Sequence, residues 1–222
     1  MTVALAYFWA RVETLRRERP DYDVAPYGPA QTLDEWREDG IEGEAFNAYA
    51  LRRAPFGRLL DIGSAAGTAK ALWRETKSAV WLDVRQPPSL PIFFVRGSAT
   101  RLPFQGASFD TVTSATVLCH VGDDRYGDGF DPHGDMRMLA EIRRVLAPGG
   151  QFLCMWGPTE PGDRTISYYS AHRAYAVPHL RALCVQAGFS DVGDWWWPRD
   201  PRPGNHETPP ENQAYGCLRA RV

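Results

Sequence analysis

The chain has 222 residues, of which 44% are hydrophobic and 23% are charged, the composition of an ordinary globular protein. Its 25 basic and 27 acidic residues leave a formal net charge of -2, which gives no broad positive field for a nucleic acid backbone. No apolar stretch is long enough to cross a bilayer, and the apolar run Val3–Ala10 lacks the basic segment and cleavage site of a signal peptide. We therefore expect one cytoplasmic domain over residues 1–222, with no nucleic acid or membrane partner.

The first 55 residues carry helical patterns. From Val3 to Arg19, apolar residues recur at helical spacing, and a proline ends the pattern. The segment Asp21–Ala30 contains two prolines and a glycine, which predicts a loop. Thr32 is expected to cap a second helix, whose apolar positions are Leu33, Trp36, Phe46 and Tyr49. We expect residues 1–55 to form a helical cap on a core that spans residues 56–222.

Strand and helix signals alternate along that core. The predicted strands are Arg58–Ile62, Ala79–Asp83, Ile92–Val95, Phe109–Ala115, Gln151–Trp156, Asp191–Trp197 and Ala214–Val222. Helices are predicted between the first two strands, over Gly134–Ala147 and, after a long loop, over Val177–Ala187. This alternation predicts a parallel sheet with right-handed crossovers. The expected fold class is α/β, a Rossmann-like three-layer sandwich whose mostly parallel seven-stranded sheet has an antiparallel last strand, with additional N-terminal helices.

The first core strand runs into a glycine-bearing turn. Residues Leu59–Ala69 read LLDIGSAAGTA, and Gly63 and Gly67 would let the backbone approach a ligand closely. Asp83 ends the next strand, about 20 residues on, where an acidic side chain can bind ribose hydroxyls. Ala65 replaces the middle glycine of a dinucleotide fingerprint, so the turn by itself is also compatible with a purely structural connection.

Later motifs, in their order and spacing, carry a family resemblance. They are RGSA at Arg96–Ala99, LPF at Leu102–Phe104, SFD at Ser108–Asp110 and RVLAPGG at Arg144–Gly150. With the glycine-bearing turn, they resemble the class I S-adenosylmethionine-dependent methyltransferases over Leu59–Gly150. The resemblance implies S-adenosylmethionine as cofactor and S-adenosylhomocysteine as its product.

The resemblance also implies the residues of the cofactor site. In that superfamily the first turn accommodates the methionine part, the acid after the second strand holds the ribose, and the loop after the third strand flanks the adenine. The cofactor-binding residues implied here are Asp61, Gly63, Ser64, Gly67, Asp83, Val84, Ser98, Ala99 and Thr116. The family usually has an acidic residue in place of Ser98.

The loop His120–Asp135 follows the fourth strand and is expected to face the substrate, because loops at the carboxyl ends of parallel strands form the ligand crevice. Its RYGD, DP and GD segments, with the later Ser170–Tyr175, resemble a little-characterised family of domains of unknown function within the methyltransferase superfold. Its five aspartates do not follow the calcium-loop spacing, and the four cysteines include no C-x-x-C pair. We predict no metal site.

Two histidines of this loop are candidate catalytic bases. A hydroxyl that accepts a methyl group must lose its proton, and a neutral imidazole near its reference pKa of about 6.5 suits that task. His120 is the first candidate and His133 the second. Two structural roles stay open: His120 packing beneath the cofactor, and His133 capping the helix that follows.

Arg125 and Tyr126 are the candidate substrate-binding residues, which would orient a polar or anionic molecule. The alternative for Arg125 is an ion pair with an aspartate of its own loop. The aromatic residues Tyr7–Trp9 and Trp195–Trp197 are candidates for a lid over an aromatic substrate, although alternation along a strand directs part of the tryptophan triplet into the core.

The sequence therefore predicts an S-adenosylmethionine-dependent methyltransferase that acts on a small molecule, at an oxygen in preference to nitrogen or carbon, in bacterial specialised metabolism or sugar modification. The alternative is a member of the same superfold that binds the cofactor but performs other chemistry, such as cyclisation or another group transfer. A third hypothesis, a binding protein without cofactor, is disfavoured because Asp61 and Asp83 are both present beside the glycines. Both a monomer and a homodimer remain open.

Overall fold

A computed structural model describes residues 3–26, 41–63, 70–76, 78–85, 93–169, 171–196 and 215–222. The helices in these ranges are α1 (Val3–Glu18), α2 (Ile41–Leu51), α3 (Lys70–Arg74), α4 (Gly134–Val145) and α5 (Val177–Gln186). The strands are β1 (Tyr22–Pro26), β2 (Leu59–Ile62), β3 (Ala79–Asp83), β4 (Phe93–Arg96), β5 (Phe109–Ala115), β6 (Leu146–Glu160), β7 (Thr165–Tyr169), β8 (His172–Ala176), β9 (Asp191–Trp196) and β10 (Tyr215–Arg221). Within the described ranges, no helix is both long and apolar enough to span a membrane.

The core sheet has the strand order β9-β10-β6-β5-β2-β3-β4. The strands β4, β3, β2, β5 and β6 run parallel, and β10 is antiparallel to both of its neighbours. Every residue of β2 is buried, as expected for a strand that is covered on both faces. The predicted mostly parallel sheet of seven strands, with its antiparallel last strand, is confirmed.

Apolar clusters pack on both faces of this sheet and give it three layers. On one face lie α4 and α5; Met138, Leu139, Ile142 and Val145 form the buried stripe of α4. On the other face, Phe46 of α2 and Trp73 of α3 pack against Leu59 and Trp81. Helix α4 ends at Val145, ahead of the proline that cannot continue a helix, as the sequence predicts.

Three strands form a side sheet next to the carboxyl end of β6. Strand β8 pairs with the last residues of β6, β7 is antiparallel to β8, and β1 is parallel to β7. The sequence predicts a loop over Asp21–Ala30 and a long loop before Val177, and both predictions are wrong where these strands form. The reason is that β1 gains its backbone partners from a distant segment, which local composition does not reveal.

Helix α1 covers the side sheet, which confirms the predicted N-terminal helix. Val12 and Leu15 of α1 are buried with Tyr169 of β7, and Phe8 and Phe130 pack against them. The second predicted helix is present from Ile41 onwards, whereas Thr32, Leu33 and Trp36 lie outside the described residues. The same holds for Trp197 and for the side chains of Trp195 and Trp196, so the tryptophan part of the predicted lid stays a prediction.

Candidate cofactor and acceptor site

The carboxyl ends of β2, β3 and β5 lie side by side, because β2 pairs with β3 on one side and with β5 on the other. This edge of the sheet brings together Gly63 after β2, Asp83 at the end of β3 and Thr116 after β5. The amide of Gly63 donates to the carbonyl of Leu82 at 2.7 Å, which holds the first two ends in register. The predicted cofactor residues Ser64 and Gly67 lie outside the described residues.

Gly63 adopts a φ of +66°, in the left-handed region that favours glycine. A Cβ at this position would lie 2.6 Å from Cγ2 of Val117, a methyl group of the residue that follows Thr116. The need for glycine therefore comes from the close approach of the β2 and β5 ends.

The two acidic residues predicted for the cofactor site differ in their surroundings. Asp61 is completely buried within the sheet, where its Oδ1 accepts a hydrogen bond from Oγ1 of Thr113 at 2.7 Å. Asp83 lies at the very end of β3, and the backbone amide of Arg85 donates to its Oδ1 at 2.9 Å. A carboxylate that accepts from one amide retains lone pairs for further donors, as ribose hydroxyls require.

Arg85, which the sequence analysis did not single out, reaches back to Asp83. Its Nε lies 3.3 Å from Oδ1, and its Nη2 lies 3.4 Å from Oδ2. Asp83 is only 3% exposed, so this guanidinium supplies a positive charge beside a buried carboxylate. The signal in the sequence was an arginine two residues after the predicted ribose-binding acid.

The other predicted cofactor residues lie along the same edge. Val84 is half-buried, and its carbonyl accepts a hydrogen bond from Nε of Arg96 at 3.1 Å. The Ser98 hydroxyl is 2.9 Å from the hydroxyl of Thr100, and Ala99 is buried. Thr116 has a φ of +57°, which for a β-branched residue is a strained conformation that costs about 1–2 kcal/mol. Such strain persists where the surroundings enforce it, and it is common at functional sites.

His120 is tied to the turn between β7 and β8. Its Nδ1 lies 2.7 Å from the carbonyl oxygen of Ala171. A carbonyl only accepts hydrogen bonds, so we assign the ring proton to Nδ1 and the lone pair to Nε2. Burial, with a contribution from nearby Arg125, lowers the pKa of His120 to about 3. The imidazole is therefore neutral at physiological pH, and it is a weak base.

Tyr126 and Arg125 lie beside His120. The ring of Tyr126 is perpendicular to that of His120, with 5.6 Å between centroids. Arg125 donates to the carbonyl of Ala171 at 3.2 Å, and within the described part of the chain it forms no ion pair with an aspartate of its loop. The structure thus brings both candidate substrate-binding residues together with the first candidate base.

Arg85 connects this loop to the cofactor edge of the sheet. Its guanidinium carbon lies 4.7 Å from the centroid of the Tyr126 ring, within the range of a cation–π interaction. A continuous series of contacts therefore runs from the Asp83 carboxylate through Arg85 and Tyr126 to His120. These contacts link residues predicted for the cofactor with residues predicted for the acceptor.

His133 is outside that series of contacts. Its side chain is 45% exposed, and its Nε2 lies 4.0 Å from a carboxylate oxygen of Glu18 in α1. It occupies the position before α4, but its side chain makes no capping hydrogen bond. Neither of the two roles weighed for His133, base or helix cap, has a supporting contact among the residues that the structure describes.

A buried ionic network lies beneath the loop, and the sequence analysis missed it. Arg173 of β8 lies 2.9 Å from Asp123 in the geometry of a close ion pair, and donates to the carbonyl of Val121 at 2.6 Å. Arg19 donates to Asp135 at 2.8 Å. The hydroxyls of Tyr22 and Tyr175 also donate to Asp135. Burial raises the pKa of Asp123 to about 7. The nearby carboxylates of Asp135 and Asp128 also raise it, whereas the adjacent Arg173 opposes the shift.

This network uses residues of the RYGD–DP–GD and Ser170–Tyr175 segments, so these segments attach the loop to α1 and the side sheet. The signal that could have revealed the network is that the two separate segments of the narrower resemblance both contain charged residues. That narrower resemblance stays a prediction. Among the residues described by the structure, no three His, Cys, Asp or Glu side chains converge as metal ligands would.

Known proteins are similar to this chain in sequence and in fold. Residues 58–154 match the family model described as a methyltransferase domain. The chain is 36% identical over 101 residues to the ubiquinone/menaquinone biosynthesis C-methyltransferase UbiE of Bartonella bacilliformis. That alignment covers 46% of this chain and 34% of the relative, so the chain spans about a third of the relative's length.

Solved structures of similar fold cover nearly the whole chain. The 1,6-didemethyltoxoflavin-N1-methyltransferase of Burkholderia thailandensis, with 1,6-didemethyltoxoflavin and S-adenosylhomocysteine bound, is similar with a TM-score of 0.63 and 19% identity over 100% of this chain and 91% of that one. The [4+2]-cyclase SpnF is similar with a TM-score of 0.58 and 18% identity over 99% and 95% of the two chains. The family match and the fold together support the class I S-adenosylmethionine-dependent methyltransferase superfamily, with the enzyme class and the cofactor that the motifs predict.

Proposed function

We propose that this protein transfers a methyl group from S-adenosylmethionine to an oxygen atom of a small molecule. The observation that carries the proposal is the series of contacts from Asp83 to His120, which joins the predicted ribose-binding acid to a loop with an imidazole, a phenol ring and a guanidinium. The match of residues 58–154 to a methyltransferase domain supports it. Cytoplasmic location, a single domain over residues 1–222, and an acceptor that is neither nucleic acid nor membrane lipid are parts of the same proposal.

The described residues fit S-adenosylmethionine. Asp83 accepts hydrogen bonds from the amide and the guanidinium of Arg85, which leaves lone-pair capacity on Oδ2 for a ribose hydroxyl. Gly63 would lie beside the methionine part. Ala99 and Ser98 would lie against the adenine. The bound cofactor would supply an electrophilic methyl group on a sulfonium, and its product is the neutral thioether S-adenosylhomocysteine.

We propose that His120 orients the acceptor hydroxyl and takes its proton late in the reaction. Its Nε2 lone pair can accept a hydrogen bond from the hydroxyl, while Nδ1 stays bound to Ala171. A base whose pKa is about 3 cannot ionise a resting hydroxyl. An oxygen that is gaining a bond to methyl becomes far more acidic than the hydroxyl, so a weakly basic imidazole suffices at that stage. Arg125 and Tyr126 would hold the rest of the acceptor.

Carbon is the alternative acceptor atom. It is supported by the curated relatives, which are C-methyltransferases of quinone biosynthesis, and a quinone precursor would also suit the half-buried aromatic ring of Tyr126. The roles in specialised metabolism and in sugar modification remain further proposals for the acceptor.

The first experiment is calorimetric titration of the protein with S-adenosylmethionine and S-adenosylhomocysteine. We expect binding by the wild type and a loss of at least about tenfold in Asp83→Ala, because the ribose loses charge-assisted hydrogen bonds. Asp163→Asn, an exposed position away from the sheet edge, is the matched control and should bind normally. A wild type that binds neither ligand would remove the proposal.

A second function is non-methylating chemistry on the same fold, as in the cyclase SpnF. The weak basicity of His120 favours it, since cyclisation needs no proton acceptor of ordinary strength. The two functions differ in product: transfer of isotopic label from methyl-labelled S-adenosylmethionine to an acceptor supports the methyltransferase, whereas acceptor conversion without label supports the alternative.

A further inference from the structure

The geometry points to Arg85 as a positioning residue that couples the cofactor site to the loop His120–Asp135. Tyr126 of this loop would then act on cofactor affinity through Arg85. The inference rests on the proposed function and adds to it a residue and a coupling that the motifs do not contain. Arg85 follows β3, whereas Tyr126 belongs to the loop after β5. The Arg85 side chain therefore spans from the end of β3 to that loop.

The first step concerns Asp83. Its carboxylate is 3% exposed and lies within 3.4 Å of both Nε and Nη2 of Arg85. A planar guanidinium that contacts both oxygens fixes the rotation of a carboxylate, which a point charge does not do. The orientation of the lone pairs available to ribose hydroxyls therefore depends on where Arg85 lies.

The second step concerns the position of Arg85 itself. Its guanidinium carbon is 4.7 Å from the centre of the Tyr126 ring. The Arg85 side chain is 28% exposed. A cation–π interaction at a partly exposed site contributes on the order of 0.5–1 kcal/mol. Tyr126 thus restricts Arg85 to the conformation that orients Asp83.

The third step follows from thermodynamic linkage. Tyr126 lies edge-on to His120, and His120 is bonded to the β7–β8 turn. A molecule that orders the loop around Tyr126 would also order Arg85 and strengthen cofactor binding, and the cofactor would strengthen binding of that molecule by the same factor. This coupling would make the loop fold best around an acceptor when the cofactor is already in place.

The test is a double-mutant cycle read by calorimetric binding of S-adenosylhomocysteine. We expect Tyr126→Leu to raise the Kd about two- to fivefold and Arg85→Gln to raise it about tenfold. In the Arg85→Gln background, Tyr126→Leu should have no further effect, because its influence passes through the guanidinium. Tyr126→Phe keeps the ring and should bind like the wild type.

Two controls separate coupling from general effects. Arg58→Gln removes a cation that pairs with Asp110 near the amino ends of β2 and β5, at the opposite edge of the sheet, and Tyr168→Leu removes a half-buried tyrosine of the side sheet. Both should leave the Kd unchanged. Melting temperatures of all variants identify any that are simply unfolded, and Arg85→Lys with Tyr126→Leu repeats the cycle with a smaller change at position 85.

The outcomes are distinct. No binding of S-adenosylhomocysteine by the wild type refutes the proposed function. Binding by the wild type that Tyr126→Leu leaves unaltered, or weakens equally with and without Arg85, overturns this inference and leaves the proposed function intact. A loss in Arg58→Gln equal to that in Arg85→Gln also overturns it, since the effect would then be one of net charge.

Discussion

The core sheet and the side sheet are joined where β8 pairs with the end of β6, and they are stabilised in different ways. The core sheet is packed on both faces by large apolar clusters, to which nearly every strand contributes. The side sheet with α1 has a much smaller apolar cluster, centred on Val12, Leu15 and Tyr169. Its contacts with the loop after β5 combine the packing of Phe130 against Tyr169 with ion pairs: Arg173 with Asp123, Arg19 with Asp135 and Arg11 with Asp124.

The two regions therefore contribute differently to the structure around the loop. Apolar packing is insensitive to direction, and it holds the strand ends that carry the predicted cofactor residues in one arrangement. Buried ion pairs contribute less net stability, but they specify one partner geometry and are costly to break singly. The loop between the regions is thus fixed in position by specific contacts, while the sheet beneath it has the greater intrinsic stability.

The largest effect is expected from Arg173→Ala. It leaves the buried carboxylates of Asp123 and Asp135 with less compensating charge and removes the bond to the Val121 carbonyl. We expect a loss of about 3–5 kcal/mol in the free energy of unfolding, measured by chemical denaturation. Arg173→Met combined with Asp123→Leu should recover part of it, because no unpaired charge then remains at that position.

Arg164→Ala is the matched control for that prediction. Arg164 pairs with Asp23 of β1 at 2.9 Å, but the two side chains are 49% and 55% exposed. An exposed pair of this kind contributes about 0–1 kcal/mol. Equal losses in Arg173→Ala and Arg164→Ala would contradict the view that buried ion pairs hold the side sheet.

The second prediction concerns the core side of the comparison, at Gly63. Gly63→Ala places a Cβ 2.6 Å from Val117 at a φ of +66°, so we expect a loss of about 2–3 kcal/mol in chemical denaturation. Adding Val117→Ala to Gly63→Ala should recover the part of this loss that comes from the steric contact and leave the part that comes from the positive φ. A cycle in which the two changes are simply additive would show that the β2 and β5 ends do not approach closely.

The sequence predicted the core sheet well because its signals are local. Buried apolar runs such as Leu59–Ile62 and the proline after α4 each act within a few residues, and the bounds of Ala79–Asp83 and Phe109–Ala115 agree with the structure. The side sheet was missed because β1 and β7 are far apart in the chain, so their pairing cannot be read from either segment alone.

The candidate site was predictable to a similar extent. The spacing after the glycine-bearing turn predicted Asp83, and the rule that ligand crevices form at the carboxyl ends of parallel strands predicted the position of the loop. His120, Arg125 and Tyr126 do lie together. Their neighbours could not be read from the sequence, because the contacts of His120 with Ala171 and of Tyr126 with Arg85 depend on how the loops fold over the sheet edge. The low pKa of His120 also follows from burial that only the folded chain shows.

The third prediction is a pH dependence that originates in the ionic network. The pKa of Asp123 is raised from its ordinary 3.8 to about 7 in the folded chain, chiefly by burial. A group with a raised folded pKa contributes stability that is complete below about pH 4 and is lost as the pH rises through about 7. The melting temperature of the wild type should therefore fall relative to that of Asp123→Asn between about pH 4 and pH 8. Parallel curves for the two proteins would contradict the raised pKa.

The smallest effect is expected at Arg11, where α1 contacts the loop through side chains alone. Its guanidinium lies 2.5 Å from a carboxylate oxygen of Asp124, 3.1 Å from the Tyr169 hydroxyl and 4.8 Å from the centre of the Phe130 ring. All of these contacts are partly exposed, so Arg11→Ala should cost about 1 kcal/mol. Amide hydrogen exchange should accelerate in α1 and remain unchanged in β2 and β5, because the core sheet does not depend on this contact.

Arg17→Ala provides the control within the same helix, since Arg17 pairs only with its exposed neighbour Glu18. Faster exchange in α1 for Arg11→Ala and not for Arg17→Ala would assign the effect to the contact with the loop, beyond any change in helix propensity. Faster exchange that spread into β2 and β5 would mean that the two regions unfold as one unit. The ionic contacts would then stabilise the cofactor crevice as well, and the division between the regions would not hold.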